Sequence, residues 1–296
     1  MRAVALALAG VASVVALAAA QTFKSGTQGI RVDVLVTDRG PPVGGLTDAD
    51  FELFDNGVLQ TIAVADSDEL PLDVVLAFDM SGSVTANRLA HLRHAAGALL
   101  DLLVPRDQAG LVTFSHEVAR RQSLTRDTAR IRASLAAVAP NGGTSLIDGV
   151  YAAMILGETA AGRALLIVFS DGVDTSSWLT AESVLQTARR SDVVAYAVAV
   201  GAQKPEFLRE LTDATGGELF ENESDRDLDK LFVSVLNEFR RRYVLMYTPT
   251  SADAGWHQLE VRLKGRRRGS IKARPGYLAD PPRSDPPPRA IHSELR

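Results

Sequence analysis

The chain of 296 residues is long enough for two domains of ordinary size, and with 46% apolar and 23% charged residues it can bury a sizeable core. It contains no cysteine, which excludes a disulfide framework, cysteine-ligated zinc and a lipid-anchored lipoprotein start. A net charge of −4 gives no footprint for nucleic acid, and after the first twenty residues no run is long and apolar enough to span a membrane.

In chain order, Arg2 is followed by an uncharged run over residues 3–20 that ends in Ala18, Ala19 and Ala20. A short basic start, an apolar middle and small residues at the end read as a secretory signal peptide over 1–20, so the mature chain is expected to be exported, either periplasmic or secreted. The alternative is an uncleaved N-terminal anchor, since the run sits at the lower limit for a span. Residues 21–29 are polar and read as a linker.

Residues 30–36 alternate, with Ile30, Val32, Val34 and Val36 on one face, as a half-buried strand requires. Apolar stretches at 51–54 and 59–64 flank Asp55-Asn56-Gly57, a hairpin signal because Asn-Gly tolerates positive φ. Residues 30–71 thus form a β segment of three short antiparallel strands, too small to be stable alone.

From Leu72 the pattern changes. Strand-like apolar runs at 73–79, 109–115, 164–170 and 192–200 are continuous rather than alternating, which points to strands buried on both faces of a parallel sheet. Between them Leu89, Leu92, Ala96, Leu99 and Leu103 form one helical stripe, and further helices fit 127–138 and 145–156. Thr180 is placed to cap a helix running to Arg190, and Ser224 with Asp227 resembles a capping box for a last helix ending near Arg240. This alternation over 72–240 predicts an α/β fold with a doubly wound, mostly parallel open sheet. Strand patterns return over 241–279, at 243–248, 256–263 and 270–273, and are expected to pair with 30–71 in one small β-sandwich that the α/β domain interrupts. The proline-rich tail, 280–296, is expected to be disordered.

In a parallel sheet the loops at the carboxyl ends of adjacent strands converge. Asp79-Met80-Ser81-Gly82-Ser83 ends one such strand, Ser170-Asp171-Gly172 ends another, and Gly142-Gly143-Thr144 precedes a helix. Together they would gather two carboxylates and three hydroxyls around one point, the oxygen set a hard divalent cation takes. Each residue taken singly has an equally ordinary use as a helix cap, Ser83 included.

The three motifs, in this order, resemble the metal-ion-dependent adhesion site of von Willebrand factor A domains, and the resemblance covers 72–240. It implies Mg²⁺ or Mn²⁺ held by the hydroxyls of Ser81, Ser83 and Thr144, with Asp79 and Asp171 contributing directly or through water. It further implies a protein partner whose Asp or Glu carboxylate completes the shell. The flanks, Val32 to Val36, Gly45 to Phe51 and the arginine-rich Tyr-Val-Leu segment from Arg241 to Leu245, are similar to a group of secreted bacterial proteins with this domain. The expected function is therefore non-enzymatic, metal-dependent protein binding or adhesion. A metal-independent structural or assembly module of the cell envelope is the alternative.

A remoter alternative is a subtilisin-like hydrolase with Ser145 as nucleophile and Asp79 orienting a histidine. None of the five histidines, His91, His94, His116, His257 and His292, has the sequence context that triad needs. His91 and His94 fall off the apolar stripe, so a solvated helix face is expected rather than a metal pair. Residues 240–274 hold ten Lys and Arg against two acids, with Arg266, Arg267 and Arg268 together; solvated strands and a turn explain this more simply than an acidic partner. Trp256 and Tyr277 are expected in the core or at the rim of the sandwich.

Overall fold

The computed structural model describes residues 29–65, 70–201, 205–222, 225–251, 253–265 and 269–281. The leader, all but the last residue of the linker, Ser224, Arg266 to Arg268, His292 and nearly all of the proline-rich tail lie outside the described residues.

Strands β1 (Ile30–Thr37), β2 (Phe51–Asp55), β3 (Val58–Leu59) and β4 (Ile62–Ala65) come first. Asn56 and Gly57 take positive φ between β2 and β3, as the hairpin requires. β5 (Leu72–Asp79), α1 (Ala86–Asp101), β6 (Gln108–Phe114), β7 (Val118–Thr125), α2 (Thr128–Ala136), α3 (Leu146–Glu158) and β8 (Arg163–Ser170) follow. The α/β part continues through α4 (Ala181–Arg190), β9 (Val194–Val200), α5 (Glu206–Thr215), β10 (Leu219–Asn222) and α6 (Leu228–Arg240). The chain then returns to strands as β11 (Tyr243–Tyr247), β12 (Gly255–Leu263), β13 (Ser270–Lys272) and β14 (Gly276–Ala279).

The central sheet has the order β10-β9-β8-β5-β6-β7 and is parallel except for β7, which pairs antiparallel with β6. Every residue of β5 and of β8 is buried, because helices cover both faces. Val74, Leu76 and Phe78 pack with α1, α2 and α6; Val75 and Ala77 point the other way and pack with α3 and α5. After β5 the chain winds one way to β6, then crosses back to place β8 on the other side of β5. The strand order reverses between β5 and β8, and their carboxyl ends bound the crevice where such sheets bind ligands.

The outer strands form two four-stranded antiparallel sheets, β13-β1-β11-β4 and β14-β12-β2-β3. Val32, Val34, Leu245 and Tyr247 of the first meet Phe51, Leu53, Leu259 and Tyr277 of the second in a separate core. The N-terminal strands pair with C-terminal ones rather than forming a sheet of their own: β1 and β4 flank β11, and β2 lies against β12. Among the described residues, the pairings that stay within the first segment are the short β2–β3 hairpin and an isolated bridge between Thr37 and Pro42.

Arginines fasten this sandwich to the amino-terminal ends of the parallel strands. The guanidinium of Arg163, fully buried at the start of β8, donates two bonds to Asp33 Oδ1 of β1 at 3.0 and 2.6 Å. It also donates to the carbonyls of Phe239 and Arg242 at 2.9 and 3.3 Å. Arg242, equally buried, donates to the Tyr196 hydroxyl at 3.1 and 2.8 Å, and Arg274 reaches the carbonyls of Ser191 and Arg31.

Candidate metal centre

β5 delivers Asp79 at its last residue, and register sets Phe78 against Phe169 so that Ser170 and Asp171 arrive beside it. Asp79 is fully buried. Its Oδ1 accepts the Ser81 backbone N–H at 2.8 Å, and its Oδ2 accepts the Ser170 hydroxyl at 2.7 Å. Burial pushes its carboxyl pKa up; the Ser81 and Ser170 hydrogen bonds oppose this, and the nearby Asp171 charge adds to it. Two carboxylates held close in a dry site are a standing electrostatic demand for a cation.

The turn after Asp79 brings the hydroxyls of Ser81 and Ser83 to 2.9 Å from each other, and Ser83 donates to Asp171 Oδ1 at 2.6 Å. Ser83 has one proton and gives it to Asp171, so Ser81 donates to Ser83. The 2.9 Å spacing matches the distance of about 2.9 Å between neighbouring oxygens of an octahedral Mg²⁺ shell. The donor set therefore fits a hard divalent ion. The other oxygen of Asp171 accepts from Arg88 Nη1, and the Asp171 side chain is wholly covered.

Thr144 joins this group through the backbone. Gly82 N–H bonds to the Gly142 carbonyl and Asn141 N–H to the Met80 carbonyl, each at 2.9 Å, which ties the Gly-Gly-Thr loop to the turn after β5. The Thr144 carbonyl accepts from Thr175 and Ser176 at 2.8 and 3.1 Å, and its N–H donates to the Thr175 hydroxyl at 2.9 Å. Hydrogen bonds thus link Asp79, Ser81, Ser83 and Asp171, and the buried Thr144 lies against Gly172 of the third loop. Gly142 takes φ +70°, and a Cβ there would fall 2.2 Å from His116 Nδ1. Helix α1 is capped by Thr85, which accepts the Arg88 N–H; Ser83 is not its cap. Ser145 lies at the start of α3 without a side-chain capping bond.

The third loop is held rigidly and ends in an exposed aromatic. Asp148 of α3 accepts the N–H groups of Trp178 and Leu179, each at 2.9 Å, and Asp174 accepts the Ser177 hydroxyl at 2.5 Å. These bonds fix the backbone at Trp178, which is 94% exposed. Neither Arg88 nor this loop scaffold is marked by the motifs; α1 carries one other arginine, Arg93, and local pattern does not separate the two.

Among the described residues no histidine hydrogen-bonds to Ser145 or Asp79. His91 Nδ1 pairs with Asp225 at 3.0 Å, so it is engaged rather than simply solvated, while His94 is 76% exposed. His257 lies buried in the sandwich against Asp55 at 2.8 Å. Tyr277 packs in the sandwich core, and Trp256 stands at its rim, 44% exposed.

The von Willebrand factor type A domain model matches residues 73–233, more than half of the chain. The chain belongs to the von Willebrand factor type A family. A bovine relative, calcium-activated chloride channel regulator 1, is 31% identical over 157 residues, 50% of this chain and 17% of that protein. The minor fimbrium subunit Mfa5 of Porphyromonas gingivalis is 27% identical over 140 residues, 42% of this chain and 11% of that protein. The chain thus spans less than a fifth of the length of these relatives. Among solved structures, a von Willebrand factor type A protein from Catenulispora acidiphila is similar with a TM-score of 0.55 at 15% identity, covering 83% of this chain and 76% of that one. Proximal thread matrix protein 1 of the mussel byssus, in a form with a zinc-occupied MIDAS motif, gives 0.53 at 19% identity, covering 62% of this chain and 49% of that one. In this von Willebrand A-type chain, no helix among the described residues is long and apolar enough to cross a membrane.

Proposed function

We propose that the protein is an exported, divalent-metal-dependent protein-binding module. Mg²⁺ or Mn²⁺ would be held by the hydroxyls of Ser81, Ser83 and Thr144. Asp79 and Asp171 stand behind them, each with both oxygens already engaged by protein donors. The ion would supply a Lewis-acidic position for a carboxylate oxygen of a protein partner. The residues of this chain orient that position: Asp171 fixes the Ser83 hydroxyl, Asp79 fixes the Ser81 backbone, and Asp148 pins the loop that carries Trp178. An exposed, rigidly mounted tryptophan is the kind of residue that anchors protein interfaces.

The observation that carries the reading is the Ser81–Ser83 hydroxyl pair at 2.9 Å, backed by the buried Asp79 and by Asp171, whose side chain is covered. Calorimetric titration of the full chain with MgCl₂ and MnCl₂ is expected to show one site that Asp79→Ala abolishes. A ZnCl₂ arm covers the ion described for the mussel protein. Silence from wild-type protein towards all three ions overturns the metal reading.

One observation favours the metal-independent alternative: Arg88 already supplies a positive partner to Asp171. That reading requires the same melting temperature in EDTA and in excess Mg²⁺, whereas an ion bound by the native state raises it.

A further inference from the structure

Arg88 stands in the first turn of α1, and its guanidinium lies between two acids from different loops. Nη1 contacts Asp171 Oδ2, and Nε lies 3.4 Å from Asp225 Oδ2 just ahead of α6. The Arg88 side chain is only 22% exposed and that of Asp171 is fully covered, so water screens this pair weakly. The other oxygen of Asp225 is held by His91 at 3.0 Å. Asp171 thus has one oxygen on Ser83 and the other on a fixed positive charge.

We infer that Arg88 is a resident cation with which the divalent ion competes at Asp171, and that it sets the affinity of the site low. The inference rests on the metal reading above. Asp79 and Asp171 offer two negative charges, and Arg88 neutralises one of them. A doubly charged ion one carboxylate away from a guanidinium, about 6 Å, meets repulsion worth about tenfold in affinity even with bulk-water screening, and more where the site is dry. Asp225 shares the Arg88 charge with Asp171, so the balance between the two acids determines how much of that repulsion the ion meets.

The experiment measures the Mg²⁺ Kd by calorimetry, and melting temperature in EDTA and in excess MgCl₂, for full-length wild type, Arg88→Gln, Arg88→Lys and Asp225→Asn. Arg88→Gln keeps a donor for Asp171 and loses the charge, so it should bind Mg²⁺ about tenfold more tightly. It should also melt lower in EDTA and gain more from Mg²⁺ than wild type. Arg88→Lys keeps the charge and should stay within about threefold of wild type. Asp225→Asn, which releases Arg88 to Asp171, should weaken binding, and should do so less in the Arg88→Gln background. This pair of variants keeps the test decisive if Arg88→Gln alone folds poorly. Equal or weaker Mg²⁺ binding by a folded Arg88→Gln, or an Asp225→Asn effect that persists undiminished without Arg88, overturns the competition. Silence of the wild type towards Mg²⁺, Mn²⁺ and Zn²⁺ overturns the metal reading itself, a result distinct from either.

Discussion

Replacing Asp33 by alanine strands a fully buried cation, Arg163. Arg163 has no exposed surface, and Asp33 accepts two of the four hydrogen bonds it donates. Its Nη1 has no partner, so that nitrogen holds no bond in reserve. Each charge-assisted bond contributes about 1.5–3 kcal/mol, so two lost together cost about 3–6 kcal/mol. Removing one member of a buried pair costs about 3–5 kcal/mol in general, which agrees. The Phe239 and Arg242 carbonyls remain and keep the expected value near 3 kcal/mol, a large share of an ordinary stability of about 5–15 kcal/mol. Urea unfolding followed by circular dichroism reads the loss as a lower midpoint. Asp33→Ala with Arg163→Met removes the stranded charge and should recover most of it. A loss below about 1 kcal/mol in Asp33→Ala, or a double variant no better than the single, would refute the reasoning.

Two further outcomes follow from the packing. In the sandwich, both ring nitrogens of His257 face acceptors that cannot donate, the Asp55 carboxylate and the Asp253 carbonyl, an arrangement that favours the imidazolium form. Burial alone would lower its pKa, but these two partners outweigh it and raise it above the ordinary value. The folded value exceeds the unfolded one, so the contribution is full below about pH 6.5 and is lost as pH rises through the folded value. Urea midpoints for wild type and His257→Gln should converge as pH is raised across that range, and a constant gap would count against the ion pair. In the Gly-Gly-Thr loop of the candidate site, Gly142→Ala places a Cβ in left-handed backbone and against His116. It should cost about 1–2 kcal/mol in urea unfolding, and an unchanged midpoint would mean that the loop relaxes freely.

The sequence displays those parts of the fold in which one physical cause dominates. β5 and β8 are continuous apolar runs because helices cover both faces, and Thr180 shows itself as a cap because its hydroxyl takes the Ser183 N–H. β7 is hard to see: as an edge strand it keeps Arg120, Arg121 and Gln122 at the surface or half-buried, and its ladder with β6 is irregular. β10 and β14 have four residues each, too few for a period to emerge. α5 follows Pro205, and its apolar positions stand among acids, so it has no obvious start. The separation of β1 from the β2–β3 hairpin depends on pairing with strands two hundred residues later, which local pattern does not encode. At the site, Asp79, Ser81 and Ser83 share a short turn and declare themselves by spacing. Arg88 reads locally as one more polar helix residue, and only the tertiary arrangement sets it against Asp171.

The arginine fastening between the two parts also has a mechanical meaning. β1 begins at Ile30 and β14 ends at Ala279, both in the sandwich, while Asp171 and Trp178 lie past the opposite end of β8. A pull between the candidate site and the sandwich would run down β8, roughly 23 Å of central strand, and cross to β1 at the Asp33–Arg163 contact. The load would there meet the two buried charge-assisted bonds from Arg163 to Asp33. The contact thereby gives the parts a tie-rod arrangement, with the candidate site at one end and the sandwich at the other.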